Sequence, residues 1–178
     1  MSEVLDKFMQ GMSAAVLLLN RAIERQSALE CIVLQANLID GSLRIGLILK
    51  TQLDSRSSAI DDSLLQQRDS DPKIPEKEIY KRCLQVGIVD KSLFDELSAA
   101  YNKRNKCIHR YLLSDIDYDY ATELVFELAA IRDRVDAVVE QLENQQTELG
   151  VGMTRTGPTL SKEFLKDYAS KKEKRHNL

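Results

Sequence analysis

Apolar side chains at Val4, Leu5, Phe8, Met9, Met12, Ala15, Val16, Leu19 and Ile23 recur three and four residues apart. That spacing puts them on one side of a helix and predicts one over residues 3 to 25. Residues 27 to 52 are apolar around most of a helical circumference, with Ser27 placed to cap the start, which predicts a second, central helix. From 53 to 75 the chain turns polar (SRSSAIDD, then QQRDSDPKIP) and reads as a long connection with at most one short helix, despite Leu64 and Leu65. A short helix over 76 to 86 ends near Gly87, and Asp90 or Ser92 caps a fourth that runs to about Leu112. After the acidic turn Ser114-Asp115-Ile116-Asp117, a long helix from about Tyr118 to Leu149 closes at Gly150. The pattern therefore predicts four main helices and one short one, without an internal repeat.

Composition agrees with an all-α domain. Across 178 residues, 43% are hydrophobic and 30% charged, while seven glycines and three prolines argue against a turn-rich β-sandwich or a collagen-like chain. One domain over residues 1 to 150 is expected, followed by a linker and a basic tail over 151 to 178. The tail carries seven Lys or Arg against three Asp or Glu; the net charge of −3 thus divides into +4 for the tail and −7 for the body. No global basic signature marks a nucleic-acid binder, and any such surface must be local. Cys31, Cys83 and Cys107 form no CxxC pair, and an odd count suits a reducing compartment. The apolar run at 14 to 19 is far short of a membrane span, and Glu3 and Asp6 stand where a signal peptide would be basic. A soluble, cytoplasmic protein without membrane attachment is expected.

The fourth helix carries the chemistry. At about 100° per residue, with Leu93 at zero, Cys107, Ala100, Tyr111, Leu97, Ile108, Tyr101, Phe94 and Leu112 fill an apolar arc, and Arg104 falls at about 20°, near its centre. A guanidinium cannot be neutralised, so an arginine there needs a carboxylate or an anionic ligand. Asn105 and His109, four apart, are neighbours at the edge of the arc. On the second helix, Asp40 interrupts the stripe Leu29, Val33, Ala36, Leu43 and Leu47, beside Glu30, Asn37 and Arg44. Asp40 and Arg104 can form an ion pair between packed helices, and His109 alone can be a boundary histidine. Alternatively Arg, Asn, His and Tyr within eight residues can bind a phosphate, orient a nucleophile and move a proton near neutral pH.

The segment Arg104-Asn105-Lys106-Cys107-Ile108-His109-Arg110-Tyr111 resembles the signature of HEPN domains: an Arg, a polar residue, three variable residues and a His. It is most similar to the subgroup of HEPN toxins with a Tyr two residues beyond the His, and the resemblance covers roughly residues 1 to 148. It implies a four- to five-helix bundle that dimerises through the motif helix, so that two signatures share a cleft. It also implies a metal-independent endoribonuclease, acting as a toxin or in antiviral defence, with no cofactor and with a cognate antitoxin. In that reading His109 exchanges protons with the ribose 2′-hydroxyl or the leaving 5′-oxygen, Arg104 stabilises the phosphorane, and Asn105 holds His109 or a phosphate oxygen, giving 2′,3′-cyclic phosphate ends. Arg104 and His109 diverge by about 140° on an ideal helix, which agrees with a site completed by a second copy. Lys103, Lys106 and Arg110 make the motif locally basic for RNA phosphates, or are simply a solvated helix face. In the toxin subgroup the tyrosine matched by Tyr111 is modified with AMP by a minimal nucleotidyltransferase; its place on the apolar arc equally fits plain packing.

Other features read as structural. Cys107 and His109 point about 200° apart, so Cys107 is a core cysteine rather than a nucleophile. Tyr118 and Tyr120 among Asp115, Asp117 and Asp119 belong to an acidic helix start. The competing functional class is a non-catalytic HEPN-like module whose cleft binds a nucleotide or a protein, with Arg104 serving the fold.

Overall fold

The computed structural model describes residues 3 to 67 and 70 to 153, so the linker and basic tail beyond 153 lie outside the described residues. The described residues form five α-helices and no strand: α1 (Glu3–Glu24), α2 (Ala28–Ser55), α3 (Glu76–Gln85), α4 (Lys91–Arg110) and α5 (Tyr118–Leu149). Among the described residues of the connection only Asp62–Leu64 winds into a single 3₁₀ turn, started by Asp61, whose carboxylate accepts from the Ser63 N–H.

Local chemistry sets most of the boundaries. Ser27 occupies the N-cap of α2 but its hydroxyl makes no capping bond. Asp90, not Ser92, caps α4 by accepting from the Leu93 N–H at 2.7 Å, and Asp117 caps α5 by accepting from the Tyr120 N–H. Gly150 ends α5 at φ 61°, a left-handed backbone that glycine adopts without a Cβ penalty. The main departure from the sequence pattern is at the end of α4, which stops at Arg110 instead of reaching Leu112. Tyr111–Leu113 tighten into a 3₁₀ turn, with Leu112 and Leu113 93% and 85% exposed. No neighbouring helix among the described residues holds those two leucines; the last turn tightens, and Ser114 Oγ donates to the Arg110 carbonyl.

The core forms around α2. Ile32, Ile39, Leu43, Ile48 and Leu49 on that helix are fully buried, as are Ile79 of α3, Leu97 of α4, and Leu124 and Val135 of α5. α2 alone among the described helices is long and apolar enough to cross a membrane, and 72% of its most apolar window is buried inside the bundle. Helix α1 folds back along it, with Leu19 and Ala22 against Cys31 and Leu38. The approach is close at Gly41, where a Cβ would fall 2.2 Å from the Met12 sulfur.

Helices α2 and α5 run parallel. Gln35 Nε2 donates to the Val125 carbonyl, Ser42 Oγ to Asp136, and Gln146 Nε2 to the Leu49 carbonyl, so positions on both helices rise together. At their C-terminal ends the fully buried Gln146 donates to Gln52 Oε1 at 2.8 Å, and Gln52 Nε2 donates to the Ala59 carbonyl. These amides exchange their hydrogen bonds inside the protein, which removes the cost of burying them.

The long connection is fastened by Arg44, 8% exposed on the face of α2. Its Nε donates to Asp40 at 2.7 Å, one terminal nitrogen to the Leu64 carbonyl at 3.0 Å, and the other to the Ile74 carbonyl at 3.1 Å. A rigid planar fork of donors can hold one carboxylate and two distant carbonyls at once, which lysine could not.

Candidate functional site

Helix α4 crosses α2 beside α3, and its buried side is Leu93, Leu97, Ala100 and Cys107. Arg104 lies on that side, as the sequence places it, but its carboxylate partner is not Asp40. Asp40 is taken by Arg44 one turn along the same helix. Arg104 instead reaches α3, where its terminal nitrogen lies 2.7 Å from Glu76 Oε2, the two side chains being 14% and 15% exposed. The other Glu76 oxygen accepts a hydrogen bond from Tyr80, one turn further along α3. Burial first, and then the Glu76 charge, push the Tyr80 phenol well above the usual tyrosine range, so it remains a donor.

Two more groups hold Arg104. Its Nε donates to Asn105 Oδ1 at 3.2 Å, and its guanidinium sits 4.7 Å from the centroid of the Tyr101 ring. Tyr101 meets Tyr80 edge to face, with the rings 88° apart. Asn105 therefore orients Arg104, not His109. The remaining three of the five Arg104 N–H groups have no partner among the described residues. A cavity of only about 10 Å³ beside Glu76, Tyr80 and Arg104 has room for about one water, too little for a phosphate.

His109 sits in the last turn of α4, exposed and without a hydrogen-bond partner among the described residues. Arg110 is exposed next to it, and Lys106 lies over the Tyr120 ring at 5.4 Å. Lys103 is engaged elsewhere, 2.6 Å from Glu127 of α5, and the hydrogen bond to that carboxylate holds the lysine above its usual range. Tyr111 is not packed into the core: it is exposed, as is Ile108. At Tyr111 the helical wheel loses phase because the α-helix ends at Arg110, whereas Ile108 is exposed while still inside the helix. Cys107 is fully buried, and burial raises its thiol, in keeping with a core cysteine.

The sequence brought Arg104, Asn105 and His109 to one helix, and the structure puts Arg104 and Asn105 in direct contact while leaving His109 apart at the surface. Sequence reading missed Glu76, Tyr80 and Tyr101. The signal for the first two was their four-residue spacing opposite a buried arginine, and for the third its position three residues before Arg104. Among the described residues no three His, Cys, Asp or Glu side chains are grouped to hold a metal ion. A separate cavity of about 440 Å³, lined by Val4, Asp62, Gln66, Asp71 and Ile74 among others, lies between the start of α1 and the connection and includes none of the α4 residues. Comparisons with protein-family models, with curated proteins and with solved structures gave no match.

Proposed function

We propose that the chain is a metal-independent endoribonuclease of HEPN type, working as a homodimer through α4, with a toxin or defence role held in check by an antitoxin. The observation that carries the reading is the presence, on one helix, of an exposed imidazole at His109 and a fixed guanidinium at Arg104, three of whose N–H groups have no partner among the described residues. In the reaction a 2′-oxygen attacks the adjacent phosphorus as the bond to the 5′-oxygen breaks. One imidazole takes the 2′-hydroxyl proton and an imidazolium returns a proton to the leaving oxygen. Arg104 stabilises the charge on the phosphorane, a role suited to a group that never loses its own proton. The five-residue separation of Arg104 and His109 is about 7.5 Å along the helix and 140° around it, so a second copy would supply the complementary imidazole.

A second reading, a non-catalytic module that binds a nucleotide or a protein, is favoured by the Glu76 contact, which already supplies Arg104 with a carboxylate. Purified protein incubated with total tRNA and mixed-sequence RNA in EDTA separates the two. Cleavage to cyclic phosphate ends that disappears in His109→Ala and Arg104→Ala supports the ribonuclease. Intact RNA from a folded, dimeric wild type refutes a constitutive nuclease and leaves the binding module.

A further inference from the structure

The body of the chain is acidic, yet its charge is not evenly spread. Residues 73 to 113, which include α3 and α4, hold nine Lys or Arg against five Asp or Glu, a net of +4 inside a body of −7. The acids of this hairpin are already engaged. Glu76 is paired with Arg104, Glu78 with Arg82, Asp95 with Lys91 and Glu96 with Arg134, while Asp90 caps α4. Lys77 and Lys81, one turn apart on α3, and Lys73 just before it, are exposed and have no acidic partner among the described residues.

Lys77 is held in place as well as unpaired. Its ammonium lies 4.6 Å from the centroid of the Tyr101 ring, the ring that also carries the Arg104 guanidinium at 4.7 Å, and it donates to Asn102 at 3.2 Å. Two cations on one ring repel each other, and the negative face of the ring offsets part of that cost. Glu76 already answers the guanidinium, so of the two cations on this ring the Lys77 ammonium is the one without a carboxylate among the described residues. The Lys77 to Asn102 and Glu76 to Arg104 contacts show that α3 and α4 run antiparallel, so Lys81, Lys77 and Lys73 succeed one another toward the C-terminal end of α4, where His109 lies.

We propose that Lys73, Lys77 and Lys81 form a phosphate track along the α3 side of the hairpin, which carries the backbone of single-stranded RNA past Arg104 toward His109. The choice of RNA as the polyanion rests on the ribonuclease reading. The track supplies affinity and not chemistry, because each lysine–phosphate contact releases counterions and leaves a salt-dependent signature.

The test is the affinity of the full chain for a 2′-O-methyl RNA oligonucleotide, which lacks the attacking hydroxyl, titrated over a range of salt. Each lost phosphate contact on a single strand lowers the slope of log K against log salt by about 0.7. Lys81→Gln is expected to lose about 0.7 and Lys77→Gln with Lys81→Gln about 1.4, while Lys7→Gln on α1 leaves the slope unchanged. Unchanged slopes in both hairpin variants overturn the track. Failure of the wild type to bind the oligonucleotide also overturns it, and binding of polyglutamate in that case assigns the basic hairpin to an acidic protein partner. Tight, slope-sensitive binding without cleavage of unmodified RNA sinks the ribonuclease and leaves the track standing.

Discussion

Replacing Glu76 tests how the centre of the site is built. Its carboxylate lies 2.7 Å from an Arg104 nitrogen and accepts the Tyr80 hydroxyl, and both charged side chains are about 85% withdrawn from water. Removing one partner from a fully buried ion pair costs about 3–5 kcal/mol, because a desolvated charge is left behind. Here some water reaches both groups and Asn105 still holds the Arg104 Nε, so Glu76→Ala is expected to cost about 2–3 kcal/mol. Glu76→Gln keeps one oxygen acceptor, recovers about 1 kcal/mol through a hydrogen bond from the guanidinium to a neutral amide oxygen, and should cost about half as much. At this chain length the alanine variant would lower Tm by roughly 4–12 °C. Urea unfolding followed by helical circular dichroism measures the loss, provided the slope with denaturant stays constant. A double-mutant cycle with Arg104→Ala should show coupling of about 1–3 kcal/mol, since the stranded charge vanishes when both partners go. A loss below 0.5 kcal/mol, or no coupling, would refute the claim that Glu76 is the carboxylate on which Arg104 depends.

Arg44→Met strands Asp40 and two carbonyls and should cost about 3 kcal/mol, together with faster proteolytic cutting between residues 56 and 75; an unchanged cutting rate would mean that the connection is held by other contacts. The Cys83 thiol is pushed up to about 12 by burial and then by the Asp40 charge, so its thiolate at pH 8 is on the order of one in ten thousand and native protein should resist iodoacetamide there until unfolded, as read by mass spectrometry. Because the folded value is raised, the stability linked to this thiol is complete below about pH 9 and is lost as the pH climbs toward 12; Cys83→Ala should flatten that alkaline decline. Gly152 adopts φ 76°, and a Cβ there would fall 2.3 Å from the buried Gln146 amide, so Gly152→Ala should destabilise by more than about 1 kcal/mol, and a Tm equal to wild type would show that the junction yields freely.

The helices were legible because their apolar residues recur at helical spacing and α4 and α5 each start at a capping carboxylate, and those are properties of neighbouring residues in the chain. Asp90, Asp117 and Gly150 act within one turn of themselves, so their roles can be read without knowing what packs where. Arg104 shows where that legibility ends. Its angle on the wheel required an anionic partner, but a wheel cannot say which helix lies opposite, and Glu76 sits on a short helix that had offered no chemistry of its own. Asp40 looked like the natural choice only until Arg44, four residues away, is seen to take it. Tyr111 failed for a different reason: extrapolating 100° per residue assumes that the helix continues, and nothing local to residue 111 announces the change to a 3₁₀ turn. The basic hairpin was hidden by averaging, since +4 over 73 to 113 disappears inside a body of −7.

The parallel arrangement of α2 and α5 bears on how the protein is made. Their cross-links join residues 90 to 97 positions apart, so the most apolar helix cannot be covered on its far side until the end of α5 exists. At a synthesis rate of about 5–20 residues per second, α2 waits roughly 5–20 s for that partner on every chain that leaves a ribosome. During the wait α1, already folded back against it, shields one part of it, and α3 and α4 cover another as they emerge. Nascent chains halted between α2 and α5 should therefore be the form most dependent on chaperones, and the form in which weakening the α1 contact near Gly41 does the most harm.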